Sequence, residues 1–150
     1  MYVSKSKIIL KIKGQLLFIK TNQKRKNMNL TIWIIQGLLA TAFLMAGIMK
    51  LIMPKNNLKE KIGGWVDEYK ESQIKLIGLV EVVGAFGLVL PMFLHVIPIL
   101  TPIAAFGLVL TMVGAAQTHF KRKESIMSNI VLLVLGILVI IGRLFIVKVF

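Results

Sequence analysis

Residues 76–94 read LIGLVEVVGAFGLVLPMFL, an apolar stretch of about 19 residues that contains one charged side chain, Glu81. A helix of about 20 apolar residues is long enough to cross the hydrocarbon core of a bilayer. Three further apolar stretches of similar length lie on either side of it, over residues 30–53, 96–118 and 126–147. This pattern predicts an all-α fold, an integral membrane four-helix bundle with short loops.

The composition supports a membrane protein and argues against a soluble one. Hydrophobic residues make up 57% of the chain, and the mean hydropathy is +0.82. The net charge is +13, but it is unevenly distributed: the first 27 residues hold eight Lys or Arg and no acid. Basic residues that flank apolar helices contact anionic lipid headgroups and set topology. We therefore expect membrane lipid as a partner, and no nucleic acid.

The chain contains no cysteine, which excludes Cys-ligated iron–sulfur clusters and Cys-based zinc sites. Its two histidines, His95 and His119, flank the third apolar stretch. At 1.5 Å of rise per residue they lie roughly 36 Å apart, too far to ligate one haem together. The sequence thus predicts no metal site and no cofactor held by this chain alone.

Residues 1–27 form a basic leader that differs from residues 28–150, the four-span domain. The leader is either a basic segment on the membrane surface or the product of a mis-assigned start, with translation beginning at Met28. The orientation depends on this choice. With the leader present, its basic residues place both termini in the cytoplasm; with a start at Met28, the basic loops at the other end become cytoplasmic.

A polar loop joins the first and second spans. Within it, apolar and aromatic side chains recur at helical spacing: Leu58, Ile62, Trp65, Val66 and Tyr69. Such a pattern is typical of a short helix that lies at the interface with its apolar side down. We therefore expect an interfacial helix between spans one and two.

Chain reversal brings the end of span one, the start of span two and the end of span three to the same side of the membrane. Lys50, Glu81, Gln117 and His119 lie near these ends and form a candidate intramembrane polar cluster. A carboxylate at the depth of Glu81 requires a partner or a proton. The cluster is either a functional site or a set of residues with separate structural roles. In the second interpretation Lys50 snorkels to the headgroups, His119 lies at the interface, Gln117 caps or bridges helices, and Glu81 belongs to an ion pair that fixes helix packing.

Small residues form stripes that predict helix–helix contacts. Gly47, Gly78, Gly84, Gly107 and Gly114 occupy these stripes on the first three spans, where the lack of a side chain lets backbones approach closely.

Arg143 lies toward the opposite side of the membrane from the predicted cluster. With Asn129 and Gly136 at seven-residue spacing, it marks one face of span four. Snorkelling of the guanidinium to the headgroups explains its position equally well.

Four motifs bear a family resemblance: AGIMKL at residues 46–51, GGW at 63–65, IGLVEVVGA at 77–85 and GAAQTH at 114–119. They resemble the DoxX-like family of small four-helix bacterial membrane proteins, over about residues 30–145. The resemblance implies a location in the bacterial cytoplasmic membrane. Relatives include the small membrane subunit of a thiosulfate:quinone oxidoreductase, so the resemblance also implies a redox partner subunit and, through it, a quinone.

Three functions follow as hypotheses. The first is an accessory or anchoring subunit of a quinone-linked membrane redox assembly. The second is a small proton-coupled transporter or channel component, for which four spans would have to form a homo-oligomer to enclose a pathway. The third is a structural assembly protein. An autonomous enzyme is not expected, because the sequence contains no nucleophile–base pair, phosphate loop or metal-spaced ligand set.

Overall fold

The computed structural model describes residues 5–146, with side chains from residue 7 onward, and the regular secondary structure in this range is all helical. It contains five α-helices: α1 (Lys5–Ile52), α2 (Lys55–Ile62), α3 (Glu71–Phe93), α4 (Leu100–Lys121) and α5 (Met127–Ile141). A 3₁₀ helix (Gly64–Glu68) follows α2, and a π-helical turn (Gly142–Ile146) continues α5. The predicted all-α membrane bundle is confirmed.

Helices α1, α3, α4 and α5, the last with its π-helical turn, are long and apolar enough to cross a membrane. They pack in a closed order: α1 against α3, α3 against α4, α4 against α5, and α5 back against α1. The core contains one to two large side chains from each of them: Leu39, Phe43, Leu88, Leu108 and Val139. Many other Leu, Ile, Val and Phe side chains on these helices are exposed, as expected for surfaces that face lipid tails.

Helix α1 is longer than the first predicted span, because the basic leader continues it without a break. Its 48 residues correspond to about 72 Å, more than twice the thickness of a hydrocarbon core. Side chains 7–27 are exposed and stand clear of the bundle. The first four residues of the leader lie outside the described residues, as does position 147 at the end of the fourth predicted span. Whether translation starts at Met28 stays a prediction.

The link between α3 and α4 is longer than the sequence suggested. His95 and Ile97 have φ angles of 56° and 46°, in the left-handed region, and Pro98 follows them. A helix cannot pass through this conformation, so α4 begins at Leu100 rather than at residue 96.

The segment between α1 and α3 forms two short helices instead of one interfacial helix. Gly63, with φ at 106°, separates α2 from the 3₁₀ helix. Residues 55–69, called the cap below, close one end of the bundle. The apolar side of the cap packs as predicted from its spacing, since Leu58, Trp65 and Val66 are buried together with Ile74 of α3.

Candidate functional site

The deepest polar contact of the cluster joins α1 to α3. Lys50 Nζ lies 2.5 Å from both Oε1 and Oε2 of Glu81, and the exposed fractions of the two side chains are 9% and 1%. Helical side chains point toward the N-terminus of their own helix, which turns Lys50 away from the end of α1 and into the bundle. Lys50 therefore pairs with the carboxylate and does not snorkel to the headgroups.

A close approach of two backbones places this ion pair. A Cβ atom built on Gly47 would lie 2.7 Å from the carbonyl oxygen of Gly78, and one on Gly78 would lie 2.8 Å from that of Gly47. Only glycine allows α1 and α3 to cross at this separation. Lys50 lies three residues, nearly one helical turn, after Gly47, and Glu81 lies three residues after Gly78. The crossing therefore brings the two charged side chains together.

The cap covers this pair with an aromatic ring. Lys50 Nζ lies 5.8 Å from the centre of the Trp65 ring, within the range of a cation–π contact. Trp65 Nε1 donates to the carbonyl oxygen of Ile62 at 3.0 Å, which fixes the ring within the cap. The ring also meets Tyr69 edge-on, with 5.9 Å between centroids, and His119 at 6.0 Å.

A cavity of about 570 Å³ lies between the ion pair, the cap and the ends of α4 and α5. The volume is within the range of small-molecule sites. Its wall is mostly apolar, with polar groups concentrated at the cap end. The polar lining consists of Lys50, Glu81, Trp65, Tyr69, Thr111, Thr118, His119, Ser125, Ser128 and Asn129.

Of the four residues in the predicted cluster, Lys50, Glu81 and His119 line this cavity, whereas Gln117 does not. Gln117 is exposed on the outer face of α4. One residue advances a helix by about 100°, so the inward position is taken by Thr118. Its hydroxyl oxygen lies 2.8 Å from that of Tyr69, in a hydrogen bond between α4 and the cap that the sequence analysis did not foresee.

The loop after α4 fastens the cap to the bundle. Glu124 Oε2 lies 2.8 Å from His119 Nδ1, and Arg122 Nε donates to Glu124 Oε1 at 2.9 Å. Arg122 Nη1 also reaches Glu68 Oε1 on the cap at 3.3 Å. The Arg122 hydrogen bond, with a smaller contribution from His119, holds the pKa of Glu124 below its usual range. The carboxylate therefore remains charged and keeps the loop joined to α4.

A second polar cluster lies at the other end of the bundle, around Arg143. This side chain is fully buried, and it donates from Nε to Gln36 Oε1 at 2.9 Å and from Nη1 to Asn29 Oδ1 at 2.8 Å. Its guanidinium lies 4.9 Å from the centre of the Trp33 ring. Gln36 Nε2 in turn donates to the carbonyl oxygen of Leu88 on α3. Arg143 thus ties α5 to α1 and does not reach toward the headgroups.

The predicted packing glycines fall into two groups. Gly47 and Gly78 form the closest helix contact, and Gly84 faces Leu108 of α4, whose Cδ2 would lie 2.7 Å from an added Cβ. No neighbour lies within 4 Å of a Cβ built on Gly107 or Gly114, so these two do not mark a helix contact in the described chain. The prediction that Gly107 and Gly114 mark helix contacts is therefore wrong. Small residues that face lipid have the same spacing in sequence as small residues at a helix–helix interface, so the spacing alone does not separate the two.

Possible metal ligands do not cluster in the described part of the chain. Among residues 5–146, no three His, Asp or Glu side chains are grouped so that they could hold a metal ion.

Four apolar helices around a buried ion pair and a cavity define the chain as a multi-pass α-helical membrane protein. A family model described as the DoxX-like family matches residues 34–142, which cover α1 from its middle through α5. The chain belongs to the DoxX-like family. Comparison with curated proteins gave no match, and comparison with solved structures gave none either.

Proposed function

We propose that this chain is an accessory or anchoring subunit of a quinone-linked redox assembly in the bacterial cytoplasmic membrane. Membership of the DoxX-like family supports the proposal, because the resemblance to that family implies a redox partner subunit and a quinone. The observation that carries it is the Lys50–Glu81 pair on the wall of an internal cavity. A buried ion pair is a weak source of stability, so a charged pair beside an internal space favours a role in binding or proton exchange over packing alone.

The residues of this chain indicate which components of such an assembly a partner subunit would supply. It has no cysteine, and its two histidines lie far apart, His95 in the link before α4 and His119 near the end of α4. The electron-transfer centre is therefore assigned to a partner subunit. This chain supplies four membrane spans and a polar site at the end of the bundle that the cap closes.

The test is affinity purification of the tagged chain from native membranes in a mild detergent, followed by mass spectrometry of proteins and lipids. We expect stoichiometric recovery of an oxidoreductase together with quinone. The double variant Lys50→Met with Glu81→Gln leaves no buried charge without a partner, so it is expected to lower the activity of the recovered complex while the chain remains at its normal abundance. Glu71→Gln is the matched control, because Glu71 is an exposed carboxylate on the same helix. Recovery of the chain alone, or only as a homo-oligomer, would overturn the subunit proposal.

Proton-coupled transport is the second candidate, and the position of Glu81 on the cavity wall favours it. In liposomes loaded with a pH-sensitive dye, the purified chain would then move protons, and Glu81→Gln would abolish the movement. A proton flux that is equal in the two proteins would exclude this function for Glu81.

A further inference from the structure

The cavity beside Lys50 and Glu81 is suited to one chemical class of ligand. Its volume of about 570 Å³ is far larger than the packing voids of a protein interior, which seldom exceed a water molecule. It lies within the bundle at the level where α1, α3, α4 and α5 meet the cap. Its lining therefore specifies what can occupy it.

The charges on the wall indicate an uncharged ligand. The two oppositely charged side chains that line the cavity, Lys50 and Glu81, are paired with each other through both carboxylate oxygens. His119 is hydrogen-bonded to Glu124 outside the cavity. The wall thus presents no unopposed charge to hold an anion or a cation, and burying an unpaired charged ligand there would be costly.

The remaining lining indicates a flat ring and a hydrogen-bond acceptor. Trp65 and Tyr69 offer aromatic surface on the cap side, and Phe43 offers it from α1. Asn129 lines the wall on α5, and its Nδ2 is buried with no hydrogen-bond partner between residues 5 and 146. A buried amide donor without a partner costs free energy, and a ligand oxygen would remove that cost.

The opening of the cavity indicates the source of the ligand. Three of its lining residues, Gly114, Ser125 and Ser128, are exposed, and they flank the gap between the end of α4 and the start of α5. No atom lies within 4 Å of a Cβ built on Gly114, so the gap is open at that point. Because α4 and α5 are long and apolar enough to span a membrane and these residues lie near their ends, the gap is expected to meet the lipid near its interface with water, which favours an amphipathic molecule dissolved in the membrane.

We propose that the cavity binds an uncharged, membrane-dissolved molecule whose flat ring carries a carbonyl oxygen, the chemistry of a quinone head group, with Asn129 as the donor to that oxygen. The ring lies against Trp65, and the tail leaves between α4 and α5 past Gly114. The choice of a quinone among carbonyl-bearing ring lipids rests on the proposed function. Binding itself is expected of the purified chain without the partner subunit, because all the lining residues belong to this chain.

The two tryptophans of the chain provide the assay. Trp65 lines the cavity, whereas Trp33 lies at the opposite end of the bundle beside Arg143. In lipid nanodiscs, a benzoquinone with a decyl tail is titrated into two full-length variants, Trp33→Phe and Trp65→Phe, each with one emitting tryptophan. We expect the fluorescence of Trp65 to be quenched to saturation as the quinone fills the cavity. The fluorescence of Trp33 should fall only linearly with concentration, as collisions with quinone dissolved in the lipid would cause. Parallel quenching of both tryptophans would overturn the proposal.

The recognition of the oxygen and the route of entry have separate tests in the Trp33→Phe protein. Asn129→Leu is expected to weaken quinone binding about three- to tenfold, the effect of one lost hydrogen bond. Gly114→Leu is expected to block the gap and weaken binding, whereas Gly107→Leu, at an equally open position on α4 away from the cavity, is expected to leave it unchanged. If decylbenzene displaces the quinone with equal affinity, the carbonyl plays no part and the proposed class is wrong.

These outcomes are distinct from those of the purification experiment. Absence of saturable Trp65 quenching overturns the ligand assignment even if an oxidoreductase is recovered with the chain. Saturable quenching supports the assignment even if the chain is recovered alone.

Discussion

The crossing of α1 and α3 at Gly47 gives the sharpest stability prediction. In Gly47→Ala the new Cβ would meet the carbonyl oxygen of Gly78 at 2.7 Å, whereas ordinary van der Waals contact begins at 3.4 Å. The two backbones must therefore separate by about 0.7 Å, because the contacting atom belongs to the main chain of a helix and cannot turn aside. Overpacking of this kind costs about 1–3 kcal/mol.

The same substitution also has a favourable component, which a control isolates. Alanine stabilises a helix by about 0.5–1 kcal/mol relative to glycine. We therefore expect Gly47→Ala to lower the free energy of unfolding by a net amount of about 0.5–2 kcal/mol. Gly107→Ala meets no atom within 4 Å, so it should show only the favourable component.

The assay is equilibrium unfolding of the purified variants in mixed detergent micelles, followed by circular dichroism. Gly78→Ala should resemble Gly47→Ala, and the double variant should lose less than the two single losses together, because one separation of the helices relieves both contacts. If Gly47→Ala is as stable as Gly107→Ala, the close crossing described for α1 and α3 is refuted.

Three further predictions concern the charged side chains. Lys50→Met leaves the Glu81 carboxylate buried without its partner and should destabilise the fold by about 3–5 kcal/mol, and adding Glu81→Gln should restore a large part of that loss in the same unfolding assay. Equal stability of the single and double variants would contradict the pairing. Because the pKa of Glu124 is depressed, its contribution to the stability of the folded protein is present above the pKa of an unfolded glutamate and is lost as the pH falls through the lower folded value. Acidification should therefore expose Trp65 of the cap to the quencher acrylamide. Glu124→Gln should remove this pH dependence, and Arg122→Gln should weaken it. An identical acid response in wild type and Glu124→Gln would exclude the loop contact as its cause. Arg143→Lys should lower the thermal midpoint almost as much as Arg143→Met, because an ammonium cannot make the two separate guanidinium hydrogen bonds and the ring contact together; full stability of the lysine variant would contradict this arrangement.

The sequence predicted the parts of the fold that depend on hydropathy. Four apolar stretches become four spanning helices, and the apolar spacing of the loop between spans one and two becomes the buried side of the cap. Hydropathy is a property of each stretch of sequence, so it predicts a helix without knowledge of the residues that the helix contacts in the fold. It does not detect a conformational break such as Gly63, which divides the cap into two helices.

The polar side chains were harder to place because their partners are distant in sequence. Arg143 fits a snorkelling residue when span four is considered alone, and only the packing of α5 on α1 brings it to Gln36 and Asn29, more than 100 residues away. Gln117 illustrates a different difficulty. It has the right depth but the wrong face, and the pattern of small residues on α4 did not distinguish the inward side from the lipid side.

Two glycines of span four that make close contacts were not among the predicted packing glycines, although Gly136 was placed on the same face of that span as Arg143. Gly136 faces Val109 of α4, and Gly142 faces Ile32 of α1, where added Cβ atoms would lie 2.6 Å and 2.7 Å from the neighbouring side chains. Their spacing of six residues belongs to neither a three- nor a four-residue stripe. Arg143 is the signal that could have identified Gly142, because burial of the arginine requires α5 to approach α1 closely.

The buried Arg143 has a mechanical consequence for the cavity at the far end of α5. Its hydrogen bonds fasten α5 to α1 at one end, while Asn129, 14 residues earlier, borders the cavity about 21 Å away. Over that length, a tilt of α5 by about 5° about the arginine would displace the Asn129 end by about 2 Å. Helix α1 is itself joined to α3 by side-chain hydrogen bonds at both Gln36 and Lys50. A tilt of this size would change the width of the gap between α4 and α5, although Arg143 lies on the opposite side of the membrane from that gap.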